Sequence, residues 1–279
     1  MSNADQETFW TDAAGPKWVA QQNRMDALLA PVLDLVMDRA HLALGDTVLD
    51  IGCGTGVSVA AAEKAVGAAG HVTGLDISQT MLDLAARKLG HAPNVTFLKA
   101  DAQNHAFTTM FDAMISRFGV MFFDDSIAAF ANLNAALKDG GRMTFAAWGP
   151  APQNPYFMVP ARAAASVLGP MPKTDRTLPG PFAFEDSNRT LAMMTEAGLG
   201  APQVETVTME LTPSGDASDT AQLMMHIGPA EAAVNHHAAN ATQRAEVQDA
   251  VADAIAPFGT AAGLRIPACI HIYSALKPA

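Results

Sequence analysis

The sequence predicts an α/β protein with a Rossmann-like, seven-stranded, mostly parallel sheet and helices on both faces. From about Thr47, short apolar runs alternate with amphipathic helical stretches, the pattern of βα units that build a parallel sheet. A glycine-rich turn at 52–56 follows the first apolar run and leads into a helix. Such a turn directs backbone N–H groups and a positive helix end toward an anionic or polar ligand.

The core elements follow from apolar periodicity and from the residues that end helices. Gly90 and the pair Gly140-Gly141 can take the left-handed conformation that ends the helices before them. In order, we expect strand 47–51, helix 57–66, strand 71–75, helix 79–89, strand 95–99, strand 112–116, helix 126–137 and strand 141–147. Five of the seven strands are therefore assigned before residue 148.

The segments on either side of this core are predicted to be mainly helical. Residues 5–44 carry an apolar stripe at helical spacing, whereas 148–184 contains eight prolines, too many for continuous regular structure. One short helix at about 157–168 interrupts the proline-rich run. The expected elements beyond it are helix 186–197, strand 203–211, helix 217–226, a long helix 230–255 and strand 268–275, which would close the sheet.

We expect one domain over 1–279 rather than two. Its predicted parts are an N-terminal helical cap (1–44), a ligand-binding core (45–147), a proline-rich loop region (148–184) and a helical insertion between the last two strands (212–266). The cap and the insertion are predicted to form a lid that shapes a pocket and excludes water. A dimer interface is the alternative role for the insertion.

Composition and charge restrict the class of partner. The net charge is −11 and the 17 basic residues form no run, which argues against nucleic acid because its binding depends on Lys and Arg neutralising phosphates. The two cysteines, Cys53 and Cys269, match no metal-ligand spacing, so we expect neither a disulfide nor a metal. Without a run of about 20 apolar residues or a signal peptide, we expect no membrane span and a cytoplasmic location.

Three carboxylates are predicted to meet beside the glycine turn. Asp50 precedes the glycines, Asp76 ends the second strand and Asp101 ends the third. The carboxyl ends of parallel strands form one edge, where open α/β sheets bind ligands. A carboxylate can accept hydrogen bonds from both ribose hydroxyls or from an adenine amino group, so the site suits a nucleoside. For Asp50 the alternative is a supporting position beneath the turn.

Over residues 47–147, these motifs resemble the class I S-adenosylmethionine-dependent methyltransferases. Within that class the resemblance is to the ubiquinone/menaquinone-biosynthesis-like (methyltransferase type 11) small-molecule group. It is carried by VLDIGCGTG at 48–56, by GLDIS at 74–78 with Met81, and by KADAQ at 99–103. It implies S-adenosyl-L-methionine as cofactor and S-adenosyl-L-homocysteine as product. The methionine moiety would lie against the 52–56 turn, the ribose hydroxyls on Asp76 and the adenine at Asp101.

The resemblance also implies where the donor and the acceptor meet. The segment after the fourth strand would face the donor sulfur, with Arg117 beside the reacting atoms or, alternatively, paired with Asp112 or Asp124. The cofactor-binding residues expected on this basis are Asp50, Gly52, Cys53, Gly54, Gly56, Asp76, Ile77, Met81, Asp101, Ala102, Ser116 and Phe118. Aromatic faces can hold a planar or cationic substrate, and Trp10, Trp18, Trp148 and Tyr156 are expected to wall the acceptor pocket.

A histidine is the side chain best suited to accept a proton at neutral pH. His226 lies in the apolar run 224–228, where we expect it to be buried; it is the candidate base, with a satisfied core histidine as the alternative. The pair His236-His237 is expected on a solvated helix face rather than at a metal, because adjacent helical residues point in different directions.

The sequence therefore predicts in-line transfer of a methyl group to a small, apolar or aromatic metabolite, with positioning supplying much of the catalysis. Two alternatives stay open. A nicotinamide-dependent oxidoreductase predicts G-x-G-x-x-G, but Val57 stands where its last glycine belongs. A non-catalytic S-adenosylmethionine-binding regulator would use the same fold. The residues do not choose among C-, N-, O- and S-methylation.

Overall fold

A central sheet of seven strands organises the computed structural model, which describes residues 2–278. The strands are β1 Thr47–Ile51, β2 His71–Asp76, β3 Val95–Lys99, β4 Phe111–Arg117, β5 Leu137–Trp148, β6 Gly200–Leu211 and β9 Ile266–Leu276, with β7 Gly259–Thr260 and β8 Gly263–Leu264 forming a separate ribbon. Their order in the sheet is β3-β2-β1-β4-β5-β9-β6. The first five strands are parallel, and β9 is antiparallel to both of its neighbours. The predicted fold class is confirmed.

Helices pack on both faces of this sheet, and further helices precede β1 and lie between β6 and β9. They are α1 Asn3–Thr8, a π-helical turn Phe9–Ala13, α2 Ala14–Ala20, α3 Gln22–Ala40, α4 Val57–Val66, α5 Gln79–Leu89, α6 Ser126–Ala136, α7 Pro155–Leu168, α8 Ser187–Glu196, α9 Ala217–Met224, α10 Pro229–His236 and α11 Ala241–Ile255. Short 3₁₀ turns lie at Val120–Phe122, Ala151–Gln153 and Ala256–Phe258. Among the described residues, no helix combines the length and apolarity needed to cross a bilayer.

Two sequence predictions about the C-terminal elements are wrong. The long helix expected at 230–255 is two helices, because Ala238 adopts a left-handed φ of 47° and Asn240 starts α11 with a capping box shared with Gln243. The final strand β9 does not close the sheet: it lies between β5 and β6, and β6 forms the edge. The insertion between β6 and β9 thus leaves the sheet from its edge strand, and the chain re-enters the sheet as the neighbouring strand, β9.

The N-terminal helices are fastened to the start of α5 through backbone carbonyls. The Ser78 hydroxyl donates to Trp10 O at 2.8 Å, and the Thr80 hydroxyl donates to Thr11 O at 2.9 Å. Gly15 is required in this contact, because a Cβ there would lie 1.9 Å from Trp10 O. On the other side, α10 and α11 pack on α7. The Lys17 ammonium pairs with the Glu231 carboxylate and so joins the two groups of helices.

Candidate functional site

A cavity of about 630 Å³ opens at the carboxyl ends of the central strands. Register explains its position: Ile51 is paired with Leu75, and Asp76 with Lys99, so β1, β2 and β3 end at the same edge. The glycine turn forms one wall, the N-terminal helices a second, and aromatic residues after β4 and β5 a third. Lys17 and Glu231 both line the cavity, so their ion pair lies at its border.

The glycine turn is shaped by positive φ values and by close backbone contacts. Gly52, Gly54 and Gly56 have φ of 67°, 54° and 88°, a region that side chains rarely adopt. A Cβ at Gly52 would lie 2.6 Å from Gly119 Cα, so the turn packs directly on the segment after β4. Gly52, Cys53 and Gly54 line the cavity. Gly56 does not; it precedes α4 and packs against Ala85.

Asp76 lines the cavity and holds the glycine turn in place. Its carboxylate accepts hydrogen bonds from Ser78 N and Gly54 N, both at 2.8 Å. Burial raises the pKa of Asp76 above its ordinary value, although these N–H donors act in the opposite direction. Ile77 and Met81 lie beside it in the cavity wall. The structure therefore brings the expected ribose acid to the expected turn.

Asp101 also lines the cavity, and the N-terminal helices reach it. Asn3 Nδ2 donates to Asp101 Oδ2 at 2.7 Å, Asn104 Nδ2 donates to the same oxygen at 2.9 Å, and Gln103 N donates to Oδ1 at 2.9 Å. Ala102 is buried in the adjoining wall. Sequence reasoning missed Asn3, because no motif indicates which residue of the N-terminal helices lies over a strand end.

Asp50 lies beneath the turn and does not line the cavity, in agreement with the supporting position kept as its alternative. Its side chain has no exposed area, Ser58 Oγ donates to Oδ2, and Oδ1 has no hydrogen-bond partner. Burial raises the pKa of Asp50 from 3.8 to about 7, against the lowering effects of the Ser58 bond and the Arg117 charge.

Ser116, expected among the cofactor residues, lies outside the cavity lining. Its hydroxyl donates to Ile51 O at 2.6 Å and accepts from Gly119 N at 3.1 Å. The hydroxyl therefore ties the end of β4 to the end of β1 beneath the site. Its structural role is to hold two cavity-forming segments together.

Arg117 lines the cavity, but its acidic partner is neither of the two acids expected from the sequence. Nη2 pairs with Asp26 Oδ1 of α3 at 3.4 Å, and the Arg117 side chain is 9% exposed. Asp112 is engaged by Lys138 at 2.7 Å instead. Arg117 Nη1 is buried without a hydrogen-bond partner. The pairing with Asp26 was missed because it joins α3 to β4 across 91 residues of sequence.

Aromatic rings form the third wall. The Phe118 and Trp148 rings stack with centroids 4.4 Å apart and planes 2° apart, and Tyr156 lies 6.4 Å from Trp148 at 8°. Trp10 makes edge contacts with Trp18 at 6.2 Å and with Phe122 at 5.2 Å. All four aromatic residues expected in the acceptor pocket line the cavity, namely Trp10, Trp18, Trp148 and Tyr156. Phe122 and Phe157 were missed, although each is close in sequence to a residue that was named.

The expectation that His226 is buried is wrong. It follows the end of α9, lines the cavity and is exposed. His271, by contrast, is buried between β5 and β6, with its ring nitrogens near Thr206 Oγ1 and Glu185 O, and it does not line the cavity. Within 2–278, no cluster of three His, Cys, Asp or Glu side chains is arranged to hold a metal.

A glycine turn, two strand-end acids and an adjoining group of aromatic rings thus line one cavity. Residues 48–141 match the model of the family described as methyltransferase domain. The demethylmenaquinone methyltransferase of Staphylococcus haemolyticus is 39% identical over 107 residues, which cover 38% of this chain and 45% of that protein. The chain thus aligns with less than half the length of this curated relative.

Solved structures with low sequence identity share the fold. A putative methyltransferase from an antibiotic biosynthesis pathway of Anabaena variabilis has a TM-score of 0.61 at 15% identity, over 88% of this chain and 96% of that one. Phosphoethanolamine N-methyltransferase 2 of Haemonchus contortus, in complex with S-adenosyl-L-methionine, has a TM-score of 0.53 at 16% identity, over 89% and 53%. Residues 48–141 of this chain are thus similar to methyltransferase domains in sequence, and the chain as a whole is similar to them in fold.

Proposed function

We propose that the chain transfers a methyl group from S-adenosylmethionine to a small, apolar or aromatic metabolite. One observation carries the proposal: a single cavity joins the glycine turn and the two strand-end acids to an aromatic chamber. A nucleoside donor and a flat acceptor could then lie end to end in one enclosure. The names of the matched relatives and the donor bound in the Haemonchus contortus protein support the same reading.

The residues of the cavity fit the donor. The glycine turn suits the methionine moiety, Asp76 the ribose hydroxyls, and Asp101 with Ala102 the adenine. Arg117 lines the same cavity, and its positive charge suits an anionic group of the ligand, such as a carboxylate. Each assignment is a proposal for this chain.

When bound, the donor supplies an electrophilic methyl group on a sulfonium that leaves as a thioether. The protein's part is to orient the acceptor and to exclude water. Two features suit these tasks. The lid, which Lys17 and Glu231 close, would exclude water, and the stacked rings of Phe118 and Trp148 would orient the acceptor. Arg117 would position the reactants, and the exposed His226 at the cavity wall would accept a proton where the acceptor must lose one.

Binding of S-adenosylhomocysteine tests the donor assignment. We expect it to raise the melting temperature of the wild-type protein and NAD to leave it unchanged, because Val57 replaces the glycine that a dinucleotide fold needs. Asp76→Asn should weaken S-adenosylhomocysteine binding at least about tenfold through loss of a charge-assisted acceptor. Asp112→Asn, an acid outside the cavity, should bind normally. A shift with NAD alone would refute the proposal.

An acceptor screen tests the second half of the proposal. Release of S-adenosylhomocysteine would be measured with small phenols, amines, thiols and carboxylic acids, and with an oligonucleotide as the polyanionic control. We expect turnover among the small molecules and none with the oligonucleotide, since the net charge is −11. A preference for the oligonucleotide would contradict the argument from charge.

A further inference from the structure

The first helix, α1, separates one side of the cavity from solvent. One face of α1 and of the turn that follows it lines the cavity, namely Asn3, Gln6, Phe9 and Trp10. Asp5 and Thr8, on the other face of the helix, are exposed. A wall that is one helix thick therefore lies between solvent and this side of the cavity.

Asn3 fastens the start of this wall to two other segments. Its Nδ2 donates to Asp101 Oδ2 at 2.7 Å and to Gln103 Oε1 at 2.9 Å, and its Oδ1 accepts from Asp124 N at 3.0 Å. Gln103 Oε1 also accepts from Asp125 N at 3.1 Å, so the same cluster joins the loop after β3 to the segment before α6. Both ends of the Asn3 carboxamide are therefore bonded to residues distant in sequence.

The chain is fixed at a second point just after α1. Ser78 and Thr80 of the α5 region donate to the carbonyls of Trp10 and Thr11, which lie in the π-helical turn Phe9–Ala13. π-Helical turns interrupt the regular hydrogen bonds of an α-helix and are frequent at functional sites. The turn thus separates α1 from α2, and its carbonyls are held on the body of the protein.

α1 also carries an ion pair, between Glu7 and Lys99 at 2.6 Å. Both side chains are exposed, at 45% and 43%, and exposed pairs contribute little because water and salt screen them. The bond from Asn3 to the Asp101 carboxylate is part-buried and charge-assisted, which makes it the stronger contact. Loss of Asn3 should therefore let α1 swing about the π-helical turn while α2 stays in place.

We propose that Asn3 controls exchange of the methyl donor and its product. Its bonds to Asp101, Gln103 and Asp124, here called the Asn3 latch, hold α1 against the cavity and must break each time a ligand enters or leaves. The inference rests on the proposed function, because its ligands are the donor and product of that reaction. All three bonds join protein atoms, so the latch closes with or without a ligand. Both exchange rates are then proportional to the fraction of time that α1 is open.

Surface plasmon resonance with S-adenosylhomocysteine over immobilised protein measures the two rate constants. In Asn3→Ala we expect association and dissociation each to be about tenfold faster, the fold-change for losing a hydrogen bond to a charged group. The dissociation constant should change little, because the two accelerations cancel in their ratio. A residue that only contacted the ligand would instead act mainly on the dissociation rate.

Asn104→Ala is the matched control, because Asn104 Nδ2 donates to the same oxygen of Asp101, at 2.9 Å. Asn104 lies three residues from Asp101 along the chain and outside the cavity lining, so its bond does not hold α1. Its removal should leave the association rate constant at the wild-type value. Equal acceleration in both variants would mean that the effect arises from Asp101 alone, and the latch would be refuted.

The outcomes separate this inference from the proposed function. If S-adenosylhomocysteine binds and Asn3→Ala keeps the wild-type rate constants, the latch is refuted and the methyltransferase proposal stands. If only dissociation is faster in Asn3→Ala, Asn3 retains the ligand without controlling its entry, and the latch is again refuted. If S-adenosylhomocysteine fails to bind to the wild-type protein, the proposed function is refuted and this inference with it.

Discussion

Replacing Asp50 with Asn tests the electrostatic cost of a carboxyl group buried beneath the glycine turn. The Asp50 side chain is fully buried, and one of its oxygens has no hydrogen-bond partner. Burial raises its pKa from 3.8 to about 7, and nearby Asp76 adds to the shift, while Ser58 and Arg117 only partly oppose it. Asn has almost the same shape and cannot ionise.

The sign of the effect follows from proton linkage. A carboxyl group whose pKa is higher in the folded chain than in the unfolded chain binds protons more tightly when folded. The free energy of unfolding therefore falls as pH rises from about 4 to about 7 and is constant above that range. A shift of about three pKa units corresponds to about 4 kcal/mol in total, of which about 2.5 kcal/mol falls between pH 5 and pH 8.

The free energy of unfolding of Asp50→Asn should not show this decrease with rising pH, because Asn does not ionise. Relative to wild type, we expect its free energy of unfolding to rise by about 2.5 kcal/mol between pH 5 and pH 8, or about 4 °C in melting temperature. Urea denaturation at four pH values across this range, followed by circular dichroism, measures the difference. Any constant cost of the substitution cancels, because only the change with pH is compared.

Asp112→Asn provides the control. Partial burial opposes ionisation of Asp112, but the Lys138 pair and the bond from Thr47 N outweigh it and lower its pKa. Asp112 is therefore ionised in both states from pH 5 to pH 8, and the difference between Asp112→Asn and wild type should not change with pH. A pH-independent difference for Asp50→Asn as well would refute the argument from burial.

Two further predictions concern the turn and the lid. Gly52→Ala should weaken S-adenosylhomocysteine binding at least about tenfold by forcing the turn away from the segment after β4. Gly140→Ala is the control, because Gly140 has a similar φ of 72° and no atom lies within 4 Å of the added Cβ. This variant should bind S-adenosylhomocysteine normally. An equal loss of affinity in both variants would contradict the steric argument. Lys17→Met should speed hydrogen exchange over 3–20, because Lys17 joins the N-terminal helices to α10. Lys138→Met removes the ion pair with Asp112, which is remote from the N-terminal helices, and should leave hydrogen exchange over 3–20 unchanged. If exchange over 3–20 is as slow in Lys17→Met as in the wild type, the Lys17–Glu231 pair does not hold the lid closed.

The sheet was predictable because its information is local. Each βα unit carries its own apolar run, turn glycine and helix end, so β1, α4, α5 and β3 have the predicted bounds. The break between α10 and α11 was not predicted, since an Asn cap and a left-handed Ala leave little trace in an amphipathic pattern. The place of β9 inside the sheet depends on pairing with β5 and β6, which no local signal specifies.

By itself, the sequence determined the fold class, the glycine turn and the two acids, Asp76 and Asp101, that end neighbouring strands. Strand order then places such residues at one edge, so motif spacing suffices to predict them. Only the tertiary structure decided that Arg117 pairs with Asp26, that Asp50 lies beneath the turn and that the Tyr156 hydroxyl is buried without a partner. These properties depend on contacts between distant segments and on exclusion of water, which arise from packing and leave no periodic signal along the chain.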